Sequence, residues 1–347
     1  MPCQHLRAIL LALPGLTLSP TTLAGGESTG RPPDAPSPTP MAAVTAEPTS
    51  PDLRQELRRI TNRNTVELIT SGVSGTHARV ADDLAQALND ESLRILPMVG
   101  RGALDNITDL LYLRGIDMAV VQTDDLEYAR QQKNFIDLRE HIYYVSKLFN
   151  EEIHLLAGED ITELADLAGR RVNLGLADSA TAITMDAILD TLGMPVQATF
   201  LGHEEALARL QTGDIAAMAF VTGKPAPLFE ALNADSDLHF VPIDYAAGLL
   251  EEYLPARLES RDYPQLIPPG EPISTVAVGT VLVAYRWPVE NHRSQELDRF
   301  VERLFNQIDT LRKDAYHPKW REVSLSALLP GWQRHPVAIQ WLEQASR

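Results

Sequence analysis

Six residues, Ser71-Gly72-Val73-Ser74-Gly75-Thr76, stand between a strand-like apolar run, Val66 to Ile69, and an amphipathic helical run, and this placement restricts the fold more than any other feature. The run that follows carries Val80, Ala81, Leu84, Ala85 and Leu88 at the spacing of a helix that covers a sheet. Three further segments repeat the design. Met118 to Val121 leads into Gln122, Thr123 and Asp124; Arg171 to Leu176 leads into Asp178, Ser179 and Thr181; Ile215 to Val221 leads into Thr222, Gly223 and Lys224. Ligands of open α/β sheets gather at the carboxyl ends of strands, where turns expose amides and the next helix presents its positive end. Four such polar ends predict one small, anionic or zwitterionic ligand.

The grammar of strand and helix continues on both sides. Leu93 to Val99 reads as a strand, Leu104, Ile107, Leu110 and Leu111 as a helix face ending near Gly115, and Met118 to Val121 as the next strand. A second unit starts near Ile161, with a helix face of Met185, Ile188, Leu189 and Leu192 closed by Gly193, and a shorter helix at Ala206, Leu207 and Leu210. This alternation predicts an α/β fold with a largely parallel sheet. Tyr143 to Leu148 and Ile153 to Ala157 look like strands passing between the units, and Thr275 to Tyr285 carries the chain back. Two crossings predict one lobe from 62–155 plus 275–347, a second from 156–274, and a binding cleft between them.

The 347 residues suffice for two cores. A formal net charge of -17 argues against nucleic acid or anionic lipid as partner, whereas a local nest of amides binds an anion even inside an acidic protein. Residues 1–24 read as an export signal: His5 and Arg7, the apolar stretch Ala8 to Leu18, then Thr22-Leu23-Ala24 as a cleavage site. An uncleaved N-terminal anchor is the alternative. The single cysteine, Cys3, precedes the apolar stretch, so an exported mature chain has none. Residues 25–61 read as a Pro/Ser/Thr-rich linker ending in a short helix, Asp52 to Ile60. The expected location is the periplasm.

At this point the residues resemble a family, the TAXI-type solute receptors of TRAP transporters. Thr70 to His77 resembles its T-G-G-x-G-G-T-Y opening, Asp117 to Asp124 its middle strand and Gln-containing end, Gly175 to Thr181 its G-A-P-G-S-G-T, and His335 to Ile339 its His-Pro-Gly-Ala-Ile, in consistent order over residues 64–343. The resemblance implies a two-lobed periplasmic binding protein of type II, with a parallel or mixed sheet flanked by helices in each lobe and two hinge crossings. It also implies a monomeric receptor that delivers glutamate or a similar carboxylate to TRAP-type membrane permease subunits. Several positions depart from the pattern. Ser71 and Ser74 replace glycines, His77 stands where tyrosine is usual, and Asp178, Ala180 and Ala182 replace Gly, Gly and Glu.

Within this frame, amides of Gly72, Gly75 and Thr76, with the Ser71 and Ser74 hydroxyls, are candidates for holding a carboxylate at a helix start. Ser179 and Thr181 are candidates from the other lobe, with helix capping as the alternative for Ser179. Gln122 is a candidate donor or acceptor; Asp124 and Asp178 are candidate partners of an ammonium group, or caps and solvated loop acids. Gly223-Lys224 and Arg101 are the cationic candidates, and His77 is either a ligand contact or a packed residue. The four tryptophans read as packing groups. No cofactor, metal or catalytic residue is expected: His203-Glu204-Glu205 lacks the second histidine of a zinc helix, Gly223-Lys224-Pro225 is no phosphate loop, and no nucleophile elbow is present. A binding module reporting to a membrane sensor, and an ABC-type receptor for an aromatic or sulfonate ligand, fit the same signals.

Overall fold

The computed structural model describes residues 63–347 apart from 73–74, 133–134, 136, 234–236 and 250–251. The expected export signal, the linker with its short helix, and Ser74 lie outside the described residues. β1 (Thr65–Thr70) is buried throughout and turns at Ser71-Gly72 into α1 (Thr76–Leu88). The helix hides Val80, Ala81, Leu84 and Leu88, each at most 1% exposed. β2 (Arg94–Val99), α2 (Ala103–Tyr112), β3 (Met118–Gln122) and α3 (Thr123–Gln131) complete the first unit. The long β4 (Ile142–Gly158) leads to β5 (Arg171–Asn173), α4 (Ala180–Thr191), β6 (Gln197–Thr199), α5 (His203–Gln211) and β7 (Ala217–Thr222). β8 (Leu238–Phe240), β9 (Leu254–Leu258), the long β10 (Ile273–Tyr285), α6 (His292–Leu311) and α7 (Pro336–Ala345) follow.

The strands form one mixed sheet in the order β2-β1-β3-β10-β4-β7-β5-β6, with β8 beside β4 and β9 beside β10. Alternation along each strand sends neighbouring side chains to opposite faces. Thus Met118, Val120, Leu282 and Ala284 enter one core with Phe300 and Leu304 of α6, while Ala119, Val121, Val281 and Val283 enter another with Ile107 and Leu110 of α2. The same division recurs beyond the midpoint of β4. Ile153, Leu155, Ala217 and Ala219 pack with Met185 and Ile188 of α4, whereas Leu156, Met218 and Phe220 pack with Ala206 and Leu210 of α5. Both faces are covered by helices, as a largely apolar sheet requires. The α/β class read from the sequence is the observed one.

Strand direction positions the site. β1 and β3 run parallel, β10 runs against β3 and β4, and β4 runs against β7, which is parallel to β5. The carboxyl ends of β1 and β3 therefore point toward those of β5 and β7. Register fixes the gap: Gln122, the end of β3, pairs with Thr280, and Thr222, the end of β7, pairs with Glu152. Since Ala277 also pairs with Glu152, the two ends are offset by only three positions along β10, roughly 10 Å. β4 and β10 are the two strands that run through both parts.

Two local readings need correction. Tyr143 to Leu148 and Ile153 to Ala157 are one continuous strand, because the polar Asn150-Glu151-Glu152 between them is itself paired, with Glu151 and Glu152 buried. Conversely, regular strand structure in Arg171 to Leu176 ends at Asn173, two residues before Gly175 adopts φ +83°. The tryptophans do pack: Trp320 is fully buried and donates to Asp83 Oδ2 at 2.8 Å, and Trp287 donates to Asp117 Oδ1 at 2.9 Å. Among the described residues no helix is long and apolar enough to cross a membrane.

Candidate functional site

A cavity of about 280 Å³ opens between the opposed strand ends. Ser71, Gly72, Gly75 and Gln122 line it from one side, and Ser179, Ala180, Thr181 and Thr222 from the other. Four helices begin on it. α1 starts after Gly75, α2 after Gly102, α4 after Ser179 and α5 after Gly202, and each of these residues contributes to the lining. The first amides of a helix lack intrahelical acceptors and carry the positive end of its dipole. At Gly75, Gly102 and Gly202 no side chain caps them; at Ser179 the hydroxyl accepts from the Ala182 amide at 3.2 Å. The cavity is thus surrounded by backbone donors.

Glycine at these places also has a steric role. A Cβ on Gly102 would sit 3.0 Å from the Asp178 carbonyl oxygen across the mouth, and one on Gly100 would sit 1.8 Å from Asn106 Oδ1 and 2.8 Å from the Thr70 carbonyl. Phe220 and His203 form an aromatic wall, their rings stacked with centroids 3.7 Å apart. Burial pushes the His203 imidazole down to about 4, so it is neutral at pH 7.

One buried carboxylate faces this space. Glu151 Oε2 accepts from Gln122 Nε2 at 2.6 Å and lies 2.9 Å from His77 Nε2, which approaches off the hydrogen-bonding line. His77 Nδ1 is 2.8 Å from Ser71 Oγ. Burial pushes Glu151 up, yet His77 in its protonated form, together with Gln122 and Lys319, holds it below the usual carboxylate range.

The other expected residues are placed as follows. Thr76 is buried, its hydroxyl 3.3 Å from that of Thr222 and donating to the Gly223 carbonyl at 3.2 Å, so it joins the two sides of the cavity. Gly223 packs on Thr76, where a Cβ would meet Thr76 Oγ1 at 2.8 Å. Thr181 Oγ1 accepts from the Val221 amide at 3.2 Å. Asp124 lies behind the lining: Thr184 donates to its Oδ2 at 2.7 Å and Tyr253 at 3.4 Å. Lys224 turns away to Asp262, at 2.8 Å. Asp178, with φ +60°, lines a neighbouring hollow with Tyr128, Asp186 and Phe200. Arg101 lines the main cavity, its side chain 74% exposed and 3.4 Å from Asp105.

Residues the sequence reading missed are Glu151, Gly100, Gly102, Gly202, Glu204 and Phe220. Gly100-Arg101-Gly102 before a helix was a usable signal, equivalent to the glycine turn after β1. Among the described residues no group of three or more His, Cys, Asp or Glu side chains is arranged to hold a metal ion.

Several buried acids set a pH dependence of stability. Burial raises Glu152 to about 7 against the pull of Lys319, and raises Glu67 to about 8, with Asp117 adding to it and Arg293 opposing. Burial raises Asp125 well above its ordinary value, with Asp124 adding to it. An acid with a raised folded pKa contributes stability that is present below its unfolded value and is lost as pH rises through the folded one. His154, His203, His317 and His335, lowered by burial to about 4, are neutral in the folded chain and half protonated in the unfolded chain only at the lower end of the window, near 6.5, so they offset part of this loss without reversing it. The melting temperature is therefore expected to fall by about 2–5 °C between pH 6.5 and 8.5. A flat or rising profile in differential scanning calorimetry would refute this account.

Solved structures with partial likeness include an alkanesulfonate-binding protein, SsuA from Xanthomonas axonopodis pv. citri, bound to MOPS (15% identity, TM-score 0.42, covering 75% of this chain and 86% of that chain). Others are an ancestral arginine-binding protein bound to arginine (15%, 0.42, covering 75% and 97%) and the effector binding domain of a BenM variant (13%, 0.44, covering 76% and 99%). In sequence, residues 68–343 match the model of the NMT1-like family. That match spans the glycine turn after β1, every helix start on the cavity and the C-terminal helices, and the chain belongs to the NMT1-like family.

Proposed function

We propose that this chain is an extracytoplasmic solute receptor that captures a small carboxylate or amino acid, glutamate-like in size, between two lobes and delivers it to a TRAP-type permease. The lobes are 62–155 plus 275–347 and 156–274, with hinges in β4 and β10. The observation that carries the reading is the meeting of four helix starts on one cavity, three of them without a side-chain cap, because helix-start amides favour an anion over a neutral solute. Ser71, Gly72, Gly75, Ser179 and the Ala180 amide are the proposed anion contacts. Thr76, Asp124 and Gly223 act behind them by holding the two sides together, Thr181 lines the cavity while its hydroxyl ties α4 to β7, and Lys224 and Asp178 have no direct role. The TAXI-like motifs and the export-type leader support placement in the periplasm as a monomer.

A ligand that binds only the native state raises apparent stability, by about 2.7 kcal/mol at one hundred times its Kd. The expected result is a rise in melting temperature with at least one member of a panel of amino acids, dicarboxylates and short-chain acids. No shift with any acid, combined with turnover of one of them, removes the receptor reading.

One observation favours a second reading, acyl transfer: Ser71, His77 and Glu151 stand in the order of a nucleophile, base and orienting acid. The off-line approach of His77 Nε2 to Glu151 counts against it. Labelling of Ser71 by a fluorophosphonate would establish it, and an unlabelled protein would remove it.

A further inference from the structure

We propose that the cavity takes up one proton, held on His77, together with its anionic ligand. The inference rests on the anion-receptor reading and adds to it a second, coupled ligand. Its basis is the chain Ser71–His77–Glu151, in which the first and last members line the cavity and the His77 and Glu151 side chains are each 3% exposed.

The charge of Glu151 poses the problem. An anion entering about 280 Å³ of space meets a carboxylate already on the lining, and low local dielectric strengthens that repulsion. The groups around the pair compensate it only in part: Lys319 attracts Glu151 from a distance and makes no contact with it in this structure. Lys319 is committed to Glu152 at 2.7 Å and Glu322 at 2.8 Å. His317 is held neutral by burial, and Asp125 on α3 is driven toward its neutral form by burial and by Asp124. Glu152 is Lys319's own partner, Gln122 is uncharged, Phe149 is apolar and 6.2 Å from the imidazole, and Arg79 on α1 acts on the His317 side. The titratable side chain in contact with Glu151 is His77.

Protonation of that imidazole does two things in the same direction. It neutralises the pair, and it changes what Ser71 offers. With a neutral ring whose Nε2–H faces Glu151, Nδ1 is an acceptor and holds the Ser71 hydroxyl proton. With a charged ring both nitrogens donate, Ser71 Oγ accepts from Nδ1, and its O–H is free to donate into the cavity. Anion and proton therefore favour each other, and the coupling is reciprocal.

Titration calorimetry on the full chain tests this, with glutarate, L-glutamate, 2-oxoglutarate and acetate as probes, in buffers of different ionisation enthalpy between pH 5.5 and 8.5. For the tightest probe the expected result is uptake approaching one proton, with affinity falling toward tenfold per pH unit where uptake is greatest. His77→Gln is expected to abolish the uptake and the pH dependence. Glu151→Gln is expected to bind the same probe at least tenfold more tightly at pH 8, with little change at lower pH. Binding by the parent without proton uptake overturns the proposal and leaves the receptor reading standing, as does uptake that persists in His77→Gln. If no carboxylate binds at any pH, both readings fall.

Discussion

Replacing Ala180 by aspartate is expected to lower affinity for the anionic ligand by at least about 100-fold, while the folded chain stays as stable as the parent. Ala180 is the first helical residue of α4 and lines the cavity, and the first turn of that helix contains no acidic residue. A carboxylate at this position interacts favourably with the helix dipole, so local stability is kept or slightly raised. The same carboxylate stands where the ligand's must stand. A 100-fold loss corresponds to about 2.7 kcal/mol, a modest demand for like charges sharing a small, partly dry space. Ala180→Asn is the control: similar in shape, uncharged and tolerated at a helix start, it should lose far less. Titration of both variants with the carboxylate that stabilises the parent, beside their melting temperatures, decides the matter. An aspartate variant that binds as well as the parent would show that the ligand's charge lies elsewhere.

The second large effect concerns Lys319, whose side chain is 2% exposed. It reaches from the turn Pro318–Glu322, beside core residue Trp320, to Glu152 in the middle of β4, while the other oxygen of Glu152 accepts from the Lys224 amide at 3.1 Å. Both partners titrate upward, and for different reasons. Burial dominates at Glu152 despite the ammonium, whereas Lys319 faces two carboxylates that outweigh its own desolvation. Lys319→Met is therefore expected to destabilise the chain by about 3 kcal/mol at pH 8, because it leaves a buried carboxylate without its counter-ion. The loss should shrink at pH 5.5, where Glu152 is protonated. The double variant Lys319→Met, Glu152→Gln should recover much of the stability. Urea denaturation of the three variants at both pH values tests this; equal losses for the single and double variants would show that packing of the lysine stem, and not charge, holds the region.

The alternation of strand, turn and helix was legible because each element hides one face. Val80, Leu84 and Leu88 could only satisfy a helix, and Val66 to Ile69 only a buried strand. The two crossings were legible as well, in Tyr143 to Ala157 and Thr275 to Tyr285, but not the register that brings the strand ends face to face, because the polar run Asn150-Glu151-Glu152 disguised β4 as two strands. The site divided in the same way. Glycine turns announced the helix starts at Gly75 and Ser179, whereas Glu151 sits in a strand and reads as an anomaly until His77, Gln122 and Lys319 are seen around it. Lys224 illustrates the opposite failure: a lysine after a strand end looked available, but Asp262, 38 positions later, claims it.

Holding charge by main-chain amides at glycine-led helix starts has a consequence for how such a molecule evolves. Apart from proline, no exchange of side chain deletes an amide N–H, so under the proposed function the grip on an anion would survive drift at Asp178. Leu176 and Glu204, exposed on the rest of the chamber, are less constrained than Phe220, which the core holds. A lineage built this way can change its cargo through a handful of replacements while its charge-reading core is inherited intact.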